Sequence, residues 1–199
     1  MATPSVCETF FIDRDYSCLR NFTSKFYQEA VLIRKRDIET LTMSIPDSEA
    51  VDCQYSVTEL VLKAGLTGFR LKADDSATII KGYVAKSTDD KGMTQYSHKV
   101  DVIAAGVPEE DMCNLDALDH GLWVVVLQAV DGTIIVYGAQ NGLSSADYDY
   151  DIVANNGAVT ITLESKEDAQ ERYLPLVYFN TDAQTSESDF NSKFEAPGA

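Results

Sequence analysis

Residues 122–137, LWVVVLQAVDGTIIVY, decide the fold of this chain. Two runs of aliphatic and β-branched residues, 122–130 and 133–137, flank the dipeptide Asp131-Gly132. An Asp-Gly pair between such runs is typical of a β-hairpin with a tight type I′ turn. The first run is apolar at nearly every position rather than at alternate ones, so we expect a strand that is covered on both faces.

Short strands are predicted on both sides of this hairpin. Their limits are residues 31–33, 38–45, 55–63, 69–73, 78–86, 93–104, 158–164 and 176–179. One helix is predicted after Pro108, where acidic residues suit the positive end of the helix dipole, and Gly121 is expected to end it. The sequence therefore predicts a mainly β fold, an antiparallel β-sandwich or barrel-like sheet with one short flanking helix.

The chain has 199 residues, a length that fits one domain. Residues 1–30 are mixed in character but rich in aromatic side chains, and we predict an extended N-terminal arm. Residues 31–179 carry the strand pattern and form the β domain. Residues 180–199 are polar and include Pro197-Gly198, so a flexible C-terminal tail is predicted.

The composition restricts the classes of function. With 16 basic and 32 acidic residues the formal net charge is −16. This charge disfavours a protein that binds the phosphate backbone of DNA or RNA. We expect no membrane segment and no secretory signal. The four cysteines, which form no C-x-x-C pair, are expected to be reduced thiols of a cytoplasmic protein: Cys7, Cys18, Cys53 and Cys113.

Little in the sequence points to catalysis or to a bound cofactor. His98 falls on the apolar face of a predicted strand and is expected to be a hydrogen-bonded core histidine, and His120 to cap the helix. The pattern Asp147-x-Asp149-x-Asp151 begins like a calcium loop, but the required later glycine and glutamate are missing. We therefore predict no catalytic residue, no metal site and no cofactor, and expect the protein not to be an enzyme.

A sheet of this kind has edges, and copies of a structural protein can pair them until a ring closes. The surface lining the central hole would be a polar or acidic strand face. One candidate is Asp147, Asp149 and Asp151, and the other is the polar face Gln95, Ser97, Lys99 and Asp101. There are two candidates for contacts between rings, the N-terminal arm and the predicted turn formed by Ser87, Thr88, Asp89, Asp90, Lys91 and Gly92.

The order of elements resembles the tube proteins of long-tailed bacteriophages. The likeness rests on the strand pairs, the single helix with an acidic start, the hairpin 123–137, the Gly138-x-x-Asn141-Gly142-Leu143 turn and the strand 159–163. In particular, the chain resembles tail-type proteins of phages from Bacteroidetes-like hosts, with a closing Leu-Pro-x-x-x-Phe at 174–179. The resemblance implies a β-sandwich subunit of stacked homohexameric rings in the virion tail, assembled in the host cytoplasm. DNA would pass through without specific contacts, and other tail or neck proteins would be partners.

Two other readings stay open at this stage. The chain fits another virion component, such as a tail terminator, a neck ring or a capsid decoration protein. It also fits a β-sandwich module that binds a ligand or carbohydrate, for which Tyr148 and Tyr150 are the aromatic residues of interest.

Overall fold

The structure, a computed structural model, describes residues 27–45, 55–72, 80–105, 109–129, 131–148 and 158–196. These residues form eleven strands and two α-helices. The strands are β1 (Tyr27–Arg34), β2 (Ile38–Ser44), β3 (Ser56–Leu62), β4 (Phe69–Lys72), β5 (Lys81–Thr88), β6 (Thr94–Ala105), β7 (Trp123–Ala129), β8 (Ile134–Tyr137), β9 (Leu143–Ser145), β10 (Ala158–Ser165) and β11 (Leu176–Tyr178). The helices are α1 (Glu109–Asp119) and α2 (Ala183–Asn191), and a 3-10 turn (Lys35–Asp37) joins β1 to β2. The fold is mainly β, as predicted.

All eleven strands belong to one sheet. The main path runs β2-β3-β11-β8-β7-β9-β10-β6-β5, and β1 pairs with both β4 and β7. Among the described strand pairs, only β3 with β11 is parallel. The prediction of an antiparallel sheet is therefore corrected to a mixed one. Local alternation patterns do not specify this pair, because its two strands are more than a hundred residues apart in the chain.

Strand β7 lies at the centre of the molecule and is buried on both faces. The five residues Trp123–Leu127 are all at most 2% exposed. Val125 and Leu127 point into one apolar core, while Val124 and Val126 point into a second core on the opposite face. This confirms the prediction made from the nearly uninterrupted apolar run.

Strands β1 and β8, like β7, contribute to both cores, and several other elements contribute to one core each. The first is filled from β6, β10 and α1, with Val100, Ile161 and Leu115 among its residues. The second is filled from β3, β11 and α2. Helix α1 is the predicted helix: its Leu118 is buried, and the carbonyl of Leu118 accepts a 3.0 Å hydrogen bond from the Trp123 indole.

The turn between β7 and β8 differs from the predicted type. The Ala129 amide donates to the Thr133 carbonyl (2.8 Å), and the Gly132 amide donates to the Ala129 carbonyl (2.9 Å). Gly132 has a φ of +85°, whereas Asp131 is absent from the non-glycine residues with positive φ. A type I′ turn needs positive φ at both central residues. The observed pattern fits the longer connection in which glycine occupies the left-handed position of a G1 bulge.

The predicted domain limits need correction at both ends. The boundary at residue 30 falls inside β1, where Ala30 is fully buried; residues 1–26 of the predicted arm lie outside the described residues. At the other end, the prediction of a flexible tail was wrong for residues 180–196. Asp182 caps the start of α2 by accepting the Thr185 amide (2.7 Å), and Phe190 and Phe194 are buried in the second core. The burial of these two rings fixes the segment.

Neither α1 nor α2, the two α-helices within the described residues, has the length and apolarity needed to span a membrane.

Candidate functional site

The predicted polar face of β6 forms the centre of a three-stranded surface. Gln95, Ser97, Lys99 and Asp101 alternate with buried His98, Val100 and Val102, as expected from the sequence. Strands β5 and β10 flank β6 on its two sides. Tyr83 of β5 lies in register with Lys99, and Thr162 of β10 with Asp101, so these side chains share the face.

This face is balanced in charge rather than acidic. Lys99 pairs with Glu164 at 2.5 Å, and the hydrogen bond to Glu164 raises the pKa of Lys99. Asp101 accepts hydrogen bonds from Thr162 Oγ1 (2.8 Å) and from the Tyr83 hydroxyl (3.4 Å). With Lys81 in register with Asp101, the face holds two lysines and two carboxylates. These contacts join the polar side chains of the face to one another.

The second candidate surface is only partly described. Asp147 is exposed, whereas Asp149 and Asp151, like Tyr150, lie outside the described residues. Tyr148 donates a hydrogen bond to Asp119 Oδ2 (2.9 Å) at the end of α1. A concavity of about 460 Å³ is lined by Asp119, Ser145, Ala146, Asp147 and Tyr148. This surface has net negative charge, because both charged groups lining it are carboxylates.

The predicted contact turn is shorter than expected. Ser87 and Thr88 belong to strand β5, in register with Gln95 and Thr94. The turn itself spans Asp89, Asp90, Lys91 and Gly92. The Asp89 carboxylate accepts the amides of Lys91 (2.9 Å) and Met93 (2.7 Å), and Gly92 adopts a φ of +80°. Aspartate and glycine thus fix the turn, while Asp90 and Lys91 remain exposed.

Strand β5 forms one end of the sheet path. Among the described strands it pairs with β6 alone. The Asp89 amide bonds to the Met93 carbonyl (2.9 Å), and hydrogen-bonded pairs alternate along an antiparallel ladder. The backbone groups of Ser87, Ala85 and Tyr83 therefore face β6. Those of Thr88, Lys86, Val84 and Gly82 face away from it, toward the outer edge.

The two histidines lie in opposite environments, one buried and one exposed. His98 is 2% exposed, its Nδ1 accepts the Gly138 amide (3.2 Å), and its Nε2 donates to the Tyr173 carbonyl (2.8 Å). Burial lowers the pKa of His98 to about 4. The ring of exposed His120 lies 2.8 Å from the Asp116 carbonyl, as predicted for a cap.

A buried carboxylate that sequence reasoning missed holds the loop from Gly138 to Gly142. Glu171 is 1% exposed and accepts the amides of Gln140 (3.0 Å) and Asn141 (2.8 Å). Burial raises the pKa of Glu171, and these amides and Lys35 oppose that shift. The glycine-rich loop indicates backbone amides that need an acceptor. The sequence around Glu171 does not indicate that its carboxylate is this acceptor.

No metal-binding group of three or more His, Cys, Asp or Glu side chains occurs among the described residues. Cys113 is an exposed free thiol, and the other three cysteines lie outside the described part of the chain.

Comparison with known proteins adds no relative: no family model, curated protein or solved structure matches this chain.

Proposed function

We propose that the chain is a structural subunit that assembles with copies of itself through the outer edge of its sheet. Within that class, we propose the tail tube subunit of a long-tailed bacteriophage, which forms stacked hexameric rings around a passage for DNA. The order of elements that resembles tube proteins supports the second, narrower proposal.

The observation that carries the proposal is the outer edge of β5. The strand is eight residues long, and six of its eight side chains are exposed. Four residues direct amide and carbonyl groups outward, and such groups are a template for another strand. The middle of the strand, from Gly82 to Ala85, is uncharged and holds neither proline nor a register shift, so nothing in its backbone blocks pairing.

The charge distribution bears on which surface lines the hole. The β5–β6–β10 face is neutral, whereas the surface around Asp119 and Asp147 is anionic. DNA slides past a wall that offers no cation to its phosphates, since each cation that contacts a phosphate adds to affinity. We therefore propose the Asp119–Asp147 surface for the bore and the neutral face for packing within or around the ring.

The test uses one position on β5. Lys86 is exposed and its amide faces outward, so Lys86→Pro removes an edge donor while leaving the ladder to β6 intact. Lys86→Ala removes the same charge but keeps the amide, which makes it the matched control. We expect wild-type protein and Lys86→Ala to form rings or tubes of uniform width in negative stain, and Lys86→Pro to sediment as a folded monomer.

Other results would redirect or overturn the proposal. Discrete single rings that never stack would favour a terminator or neck component. A monomeric wild-type protein that binds sugars would favour the ligand-binding module. Equal assembly of Lys86→Pro and wild-type protein would show that the β5 edge is not the contact.

A further inference from the structure

A cationic cleft opens between the end of β1 and the end of α1. It has a volume of about 660 Å³ and is lined by Arg34, Lys35, Arg36, Asp116, Ala117, His120, Gly121 and Leu122. The volume falls in the range of small-ligand sites. Three consecutive basic residues stand against one carboxylate, so the lining has a net charge of +2 with His120 neutral. This is unusual on a chain whose net charge is −16.

Among the described residues, Arg34 lines the cleft without a carboxylate partner. Its guanidinium carbon lies 5.5 Å from the ring centroid of Trp123 and 5.7 Å from that of Phe69. Both distances are those of cation–π contacts, which hold the guanidinium beside the two rings. Within the described part of the chain, no carboxylate lies within 4.0 Å of Arg34. The N–H groups of a guanidinium fit two oxygens of a carboxylate or phosphate.

The two neighbouring basic side chains, Lys35 and Arg36, differ in how much they add to the positive field. The Lys35 ammonium donates to the Gln140 carbonyl and is half-buried, and the nearby Glu171 carboxylate offsets part of its charge. Arg36 is 77% exposed, and its one ion pair with another described residue is a long 3.7 Å contact with Asp37. A cleft whose lining carries a net positive charge concentrates anions.

We propose that this cleft binds an oxyanion, a carboxylate or phosphate group, with Arg34 and Arg36 as its donors. Leu122 in the cleft wall is 39% exposed, and Phe69 beside Arg34 is 50% exposed. The apolar part of an organic anion could pack against these two side chains. The site does not depend on the proposed assembly role.

The single tryptophan gives a direct readout. Trp123 is the only tryptophan in the chain, and it contacts Arg34. Phosphate and citrate are titrated in separate experiments against the full-length protein, with sodium chloride at matched ionic strength as the control for screening. We expect a saturable change in Trp123 emission with both anions and none with chloride. Arg34→Met and Arg36→Met should each weaken binding about tenfold or more, and Arg172→Met, which removes an exposed arginine outside the cleft, should leave it unchanged.

Because Arg34→Met also alters the surroundings of the indole, calorimetry repeats the titration without relying on fluorescence. No saturable binding, or equal affinity in wild-type protein, Arg34→Met and Arg36→Met, would overturn the proposal. Sedimentation with and without citrate identifies the natural source of the anion. If citrate and Arg34→Met both reduce association, the oxyanion is a carboxylate of another copy; if neither does, it is a free ligand.

Discussion

Acidification should destabilise the protein through His98. Burial lowers the pKa of this ring from 6.5 to about 4. The unfolded chain therefore binds a proton between these values that the folded protein does not, and stability falls as the pH drops through this window. The difference of about 2.5 pKa units predicts a loss of about 2 kcal/mol between pH 7 and pH 5, and about 3 kcal/mol by pH 4.

The assay is urea unfolding at pH 7, 6 and 5, followed by the fluorescence of Trp123. His98→Gln is the comparison, because its amide can donate to the Tyr173 carbonyl in place of Nε2 but does not titrate. Glu171 works in the opposite direction: its raised pKa means that protonation favours the folded state on acidification. The quantity of interest is therefore the difference between wild type and variant.

We expect wild-type protein to lose about 2 kcal/mol more than His98→Gln between pH 7 and pH 5. An equal loss in the two proteins would refute the reasoning that His98 is held neutral by burial. A smaller loss in the wild type than in the variant would show that the ring is protonated in the folded state.

Three further substitutions test the packing. Phe190→Ala should lower the free energy of unfolding by about 3–5 kcal/mol, because the ring is fully buried; a change under about 0.5 kcal/mol, typical of surface sites, would indicate a loose tail instead. Glu171→Gln should lower the free energy of unfolding by about 1–3 kcal/mol, because the new amide nitrogen would face a backbone N–H. The matched control is Glu167→Gln at an exposed position, which should have little effect in the same urea titration. Gly82→Ala should lower the melting temperature, with a cost of about 1–3 kcal/mol, because its Cβ would lie 2.4 Å from the ring of Tyr137; an unchanged melting temperature would contradict the close approach.

The sequence predicted those features that depend on local patterns. The apolar run of β7 identified a strand buried on both faces, and the alternation in β6 assigned His98 to the core side and Lys99 to the polar side. The acidic start after Pro108 and the stop at Gly121 located α1. In each case the determining residues are neighbours in the chain.

Features that depend on distant residues were not predicted. Phe190 and Phe194 are two rings in a polar segment, and their burial follows from the second core that other strands build. The role of Glu171 depends on a loop about thirty residues earlier. The neutral charge of the β6 face arises because Glu164 lies opposite Lys99 across the β10–β6 ladder, a register that the sequence of β6 alone does not contain.

The cationic cleft was missed for the same reason. Residues 34–36 look like an ordinary charged turn in the sequence. They form a cleft only because the fold places His120 and Leu122 opposite them. The signal present in the sequence was a basic triplet within a strongly acidic chain.

Hydrogen exchange at individual β5 amides, measured across protein concentrations, tests the central proposal most directly. The amides of Ala85 and Ser87 bond to β6 and should be protected at every concentration, whereas those of Val84, Lys86 and Thr88 face outward. If copies pair through this edge, the outward amides become protected as the concentration rises and subunits assemble. If they exchange freely at the highest concentration, or are protected equally at all concentrations, the β5 edge does not join one copy to the next.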